Sequence, residues 1–157
     1  MTIHQMAIKF FDEGAAAYVK NELKKSIQLF SEALKYDSNF ELGYVSRGAA
    51  YLKLGKIKKA MADFNRVLKM NPNSARAYHL RGLAFEKRGE IAKAYRDFDR
   101  ALESDPDYAA AYHSRDLLLS KGGQTDFSLE ELDIINHLMA MRVSRFDDTE
   151  ESSDLAA

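Results

Sequence analysis

The sequence predicts an all-α chain of stacked helix pairs, and three observations carry that expectation. Landmarks recur 34 residues apart: Tyr44 with Tyr78, Gly48 with Gly82, Gly55 with Gly89, Ala60 with Ala94, Phe64 with Phe98 and Pro72 with Pro106. Within a period, apolar residues in YVSRGAAYLKL and IKKAMADFNRVLKM recur at spacings of three and four, which puts them on one helical face. Breakers then punctuate the period twice: Gly55 or Gly89 closes the first helix, and Asn71-Pro72 or Asp105-Pro106 closes the second.

Each element follows in order. Residues 7–40 form the first and weakest copy, with Phe10, Gly14, Ser26, Phe30 and Ala33 in phase but Ala17 and Ser38 in place of the second aromatic and the proline. Residues 41–74 and 75–108 are full copies, in which Gly48 with Ala60, and Gly82 with Ala94, stand where paired helices approach closely. Each pair keeps a second apolar face that only the next pair can cover. Arg47 and Asp63, like Arg81 and Asp97, either pair across their hairpins or stand as solvated charges. In residues 109–146 the glycine position becomes Asp116 and no proline appears at Ala140. A carboxylate in that tight contact costs several kcal/mol, so this fourth pair is expected to splay or stop and to cap the array. Its second helix starts late, with Ser128 and Glu131 as a capping box and Leu129, Leu132, Ile135, Met139, Val143 and Phe146 in one stripe.

Together, Tyr44-x2-Arg47-Gly48-x2-Tyr51, Ala60-x3-Phe64 and Pro72, repeated as Tyr78-x2-Arg81-Gly82-x2-Phe85, Ala94-x3-Phe98 and Pro106, resemble the tetratricopeptide repeat (TPR). The resemblance covers roughly residues 7–108, and Arg47 and Arg81 depart from it at the usual leucine position. It implies a right-handed superhelical solenoid of helix-turn-helix repeats, here a single domain over 1–146 with a C-terminal capping helix and an acidic, disordered tail at 147–157. It also implies a concave groove lined by the first helix of each pair. The inward positions would be Ile8, Phe11, Ala15 and Tyr18, then Leu42, Val45, Ala49 and Leu52, then Arg76, His79, Leu83 and Glu86, then Ala110, His113, Leu117 and Ser120. Of these, Phe11, Tyr18, Leu42, Val45, Ala49, Leu52, Arg76, His79, Leu83 and His113 are the expected partner contacts. The groove runs from apolar to polar, so it suits a peptide or amphipathic helix with apolar anchors and an acidic end.

Composition bounds the function. At 157 residues, 46% hydrophobic and 30% charged, the chain can bury a core, and without cysteine it has neither disulfides nor a thiolate metal site. No apolar run approaches a membrane span, and MTIHQMAIKFFDEG lacks the basic leader and apolar core of a signal peptide, so a cytoplasmic protein is expected. The segment DDTEESSDLAA holds five acids and no base, which leaves the rest of the chain at a formal +4. That charge is too small to argue for nucleic acid, and Lys24, Lys25, Lys58, Lys59 and Lys93 read as solvated helix starts. His79 and His113 fall at equivalent positions but lack further metal ligands, and no phosphate loop, nucleophile elbow or HExxH is present, so no cofactor, metal or catalysis is expected.

The reading is therefore a non-enzymatic protein–protein interaction module, an adaptor or scaffold. A chaperone-binding carboxylate clamp, as the resemblance would place it, wants Lys, Asn, Asn, Lys and Arg where this chain has Phe11, Ala15, Ser46, Arg76 and Leu80. The alternative is a self-associating protein whose groove takes a terminal helix of its own or a neighbouring chain. The acidic tail could also fold back onto Arg76 and His79.

Overall fold

The structure, a computed structural model, describes residues 1–122 and 140. Seven helices follow one another among them: α1 (Ile3–Val19), α2 (Leu23–Tyr36), α3 (Glu41–Lys53), α4 (Ile57–Met70), α5 (Ala75–Lys87), α6 (Ile91–Ser104) and α7 (Ala109–Gly122). Each packs on its chain neighbours. The odd-numbered helices also touch across hairpins, α1 with α3, α3 with α5 and α5 with α7, whereas no two even-numbered helices meet. A stack that closes on one side and opens on the other is curved, so α1, α3, α5 and α7 line its concave face.

The turns explain the helix ends. After α3 and α5 the chain enters the left-handed region at Gly55 (φ 83°) and Gly89 (φ 76°), where Lys56 N–H returns to the Tyr51 carbonyl and Glu90 N–H to that of Phe85. Asn21 takes the same role after α1 at φ 61°, asparagine being among the few side chains that tolerate it. After α2, α4 and α6 the carboxylate or amide oxygen of Asp37, Asn71 and Asp105 accepts the N–H two residues on, a local turn that reverses the chain.

Inside each hairpin a glycine meets a phenylalanine ring. A Cβ on Gly14, Gly48 or Gly82 would lie 2.7, 2.5 and 2.5 Å from Phe30, Phe64 and Phe98 respectively, all three rings being buried. This contact lies within a pair, so Asp116, one period after Gly82 and exposed, leaves the packing of α7 on the preceding pair undisturbed. The expectation that the fourth pair splays or stops falls on residues outside those described; its first helix, α7, packs on α6 through buried Ala111, Arg115 and Leu118, with Asp116 exposed. The expected capping helix and acidic tail lie outside the described residues.

An arginine ties each pair to the one before it. Arg47 donates through Nε and Nη2 to both oxygens of Asp63 (2.9 and 2.7 Å) and through Nη1 to Ser31 Oγ (3.2 Å). Arg81 repeats this with Asp97 (2.7 and 2.9 Å) and Asn65 (3.0 Å). Arg115 reaches back to Asp99 (2.9 Å). Tyr44 and Tyr51 flank the Arg47 guanidinium, and Tyr78 and Phe85 that of Arg81, so three helices converge on each planar cation.

Between α5 and α7, His79 is 8% exposed, shares a 2.9 Å hydrogen bond between Nε2 and Ser114 Oγ, and packs against Phe98 and Tyr108. Burial pushes its pKa down to about 4.

Two outcomes follow. Arg47→Leu strands the buried Asp63 carboxylate and is expected to cost about 3 kcal/mol by urea unfolding, of which Arg47→Leu/Asp63→Leu recovers part; equal losses would contradict the pairing. Because the folded state resists protonating His79, its contribution is complete above pH 6.5 and falls away as pH drops toward 4. Relative to His79→Gln, the wild type should therefore lose up to about 3 kcal/mol across that window, whereas parallel pH profiles would contradict it.

Candidate functional site

The concave face carries a cup of about 240 Å³. Phe11, Ala15, Tyr18 and Val19 of α1 form one wall, Leu42, Ser46 and Ala49 of α3 the other, Phe30 a floor, and Arg76 of α5 the far rim. A second recess of about 360 Å³ opens beyond Leu42, bounded by Asp37, Asn39, Phe40, Glu41, Val45, Ser74 and again Arg76.

Local packing shapes the cup. Phe11 stands against Phe30 and edge-on to Phe40 at 5.5 and 5.2 Å, which holds the α1 wall upright. Lys53 lies 5.1 Å over the Tyr18 ring at the near rim. Arg76 is exposed and in no ion pair among the described residues. It is the only charged residue lining the cup. Arg76 also acts on half-buried Tyr108, whose pKa burial raises and Arg76 partly lowers.

Of the ten expected contacts, Phe11, Tyr18, Leu42, Ala49 and Arg76 come together around the cup. Four others do not line the cup, although Val45 borders the second recess. Val45, 2% exposed, packs on Val67 and Ala77, and Leu52, 6% exposed, packs on Phe64 and Ala84. His79 is buried against α7 as described, and Leu83 is half-buried between two core clusters. The physical reason is one of register. Helix α3 must bury a stripe against α5, and Val45 and Leu52 supply it; the groove face keeps Leu42 and Ala49 and takes Ser46 in place of Val45. His79 stands one period after Val45 and is buried by the same seam. The tenth contact, His113, is exposed on α7 and lines neither recess.

Val19 was missed: it is 85% exposed at the mouth of the cup, the last residue of α1 and outside the repeat's inward pattern. Ser46 was legible only as a departure from a clamp, and Phe30 only as core. Among the described residues no group of His, Asp or Glu is arranged to hold a metal ion, and no helix is long and apolar enough to cross a membrane.

The tetratricopeptide repeat family matches the chain over residues 48–118. Among solved structures, the TPR domain of Arabidopsis OM64 superposes with a TM-score of 0.72 at 25% identity, covering 75% of this chain and 98% of that one. The TPR2B domain of yeast Sti1, solved in a complex named for pHsp70, gives 0.69 at 27% identity over 76% and 98%. The Sgt2 TPR domain of Aspergillus fumigatus gives 0.70 at 21% identity over 78% and 84%, a likeness of fold. No curated protein matches the chain in sequence. The 34-residue period, the glycine–phenylalanine hairpins, the family match over residues 48–118 and these neighbouring folds converge: the described residues form an all-α tetratricopeptide-repeat solenoid.

Proposed function

We propose that the chain is a protein-interaction module, without catalysis, that binds a segment of a partner protein on its concave face. The bound segment inserts one or two bulky apolar side chains into the cup and sets a carboxylate on Arg76. The observation that carries this is the cup itself, largely apolar, with Arg76 the one charged residue in its lining among the described residues. At about 240 Å³ it lies below the roughly 300–1,000 Å³ usual for small-molecule pockets, and so suits side chains of a larger ligand.

The clamp positions bear on which ligand. Phe11, Ala15, Ser46 and Arg76 all line the cup, but only Arg76 is cationic, and Leu80 is packed between two core clusters. The site therefore favours apolar anchors over a run of carboxylates, a different balance from a clamp. The Sti1 domain, solved with pHsp70, supports peptide capture on this scaffold as a class of work.

The test uses peptides selected by phage display on the folded chain. Leu42→Glu and Arg76→Glu alter exposed side chains, so melting temperatures are expected to hold while affinity falls roughly tenfold or more for each, about 1.4 kcal/mol per tenfold. Binding that survives both substitutions would sink the concave reading.

A second reading, self-association, draws on the exposed Ile3, Ile8 and Val19 of α1. Light scattering should then show a dimer that Val19→Asp disperses; a monomer at all concentrations removes it.

A further inference from the structure

The convex face carries an unanswered positive charge. On α4, Lys58, Lys59, Arg66 and Lys69 are all exposed, and the helix's only carboxylate, Asp63, is buried on Arg47. On α6, Arg96 and Arg100 extend the same stripe, standing one period after Ala62 and Arg66, and exposed Glu103, one period after Lys69, closes it. None of these six cations enters an ion pair among the described residues. On α2 the matching row is already balanced, with Lys25 on Glu22 and Lys35 on Glu32. The charge is therefore concentrated on α4 and continues onto α6.

The chemistry of the face narrows its occupant. Lys59 lies over Tyr51, Arg66 over Tyr44 and Arg100 over Tyr78, so these rings are covered by cations and offer no platform for stacked bases. No large apolar side chain is exposed on α4 or α6, which removes the anchor a bilayer surface would need. What remains is a run of carboxylates, and the chain owns one: Asp147, Asp148, Glu150, Glu151 and Asp154, with no base among them. Twenty-four residues separate Gly122, the end of α7, from Asp147. Even wholly helical at about 1.5 Å per residue they span about 36 Å. Three helix-to-helix steps of about 8–10 Å take α7 to α4, so the reach suffices. The groove is the poorer dock for this segment, since His79 is buried there and Arg76 stands alone.

We propose that the acidic segment 147–154 docks on the basic convex face of α4 and α6 of its own chain and shields it from other polyanions. Docking is electrostatic and leaves the concave cup open, so it stands or falls independently of the peptide-binding reading.

Zero-length carbodiimide cross-linking of the full chain tests it, with isotopically labelled and unlabelled copies mixed. Amides are expected between the five acids and Lys58, Lys59 or Lys69, within one copy, fading several-fold as salt rises from about 0.05 to about 0.5 M. Amides that join labelled to unlabelled copies, or that favour Lys53 beside the cup, would overturn the proposal. A second measurement uses a short heparin oligosaccharide as the polyanion. The variant Asp147→Asn, Asp148→Asn, Glu150→Gln, Glu151→Gln, Asp154→Asn should bind it roughly tenfold tighter than wild type at low salt, and Lys59→Glu/Arg66→Glu should abolish that gain. Equal heparin affinity of wild type and tail variant would also overturn it.

Discussion

A phenylalanine ring occupies the space where Gly14, Gly48 and Gly82 would carry a Cβ, and the geometry of the whole stack depends on that contact. With no side chain between them, the two helices of a pair close around the ring and bury it completely. Every other substitution at the glycine drives a carbon into aromatic atoms of a packed core, where there is no room to relax. The spacing within a pair is thereby set, and with it the angle at which the next pair must land. The last described glycine position is Asp116, where the second helix of the pair lies outside the described residues.

The arginines convert separate hairpins into one body. Arg47 and Arg81 each hold a carboxylate of their own pair and a neutral acceptor of the pair before, Ser31 or Asn65, so that one planar cation spans three helices. Arg115 meets a carboxylate, Asp99, at the backward position. These contacts sit toward the convex side, leaving the concave side free of polar ties between α1 and α3. The cup occupies that gap, and it is apolar because the first repeat places Phe11, Ala15 and Tyr18 where α5 places His79, Leu83 and Glu86.

The period, the hairpins, the turns and the curvature were legible in the sequence, because each depends on a residue type that few others can replace: glycine against a ring, glycine or asparagine at positive φ, proline after a helix. The groove was legible only in part. The inward pattern placed Leu42, Ala49, Phe11, Tyr18 and Arg76 at the cup, but it also placed Val45 and Leu52, which are buried, since an apolar residue on a helix reads the same whether it faces a partner or the next helix. A difference of one position, about 100° of rotation, separates the two. The arginine pairs were visible as spacings, but whether they paired depended on burial of the carboxylate, and the backward acceptors at 31, 65 and 99 change residue type from copy to copy. Asp116 was recognised as a break in the glycine contact within its pair, and the rest of that pair lies outside the described residues.

The central claim is that the cup between α1, α3 and α5 is where this protein meets another. Methyl NMR of the full chain, titrated with a peptide selected on it, tests this most directly. The account predicts shifts confined to Val19, Leu42 and Ala49 and their immediate neighbours, with the methyls of α4 and α6 unmoved. Shifts that cluster on the even-numbered helices while Leu42 and Ala49 stay fixed would contradict it.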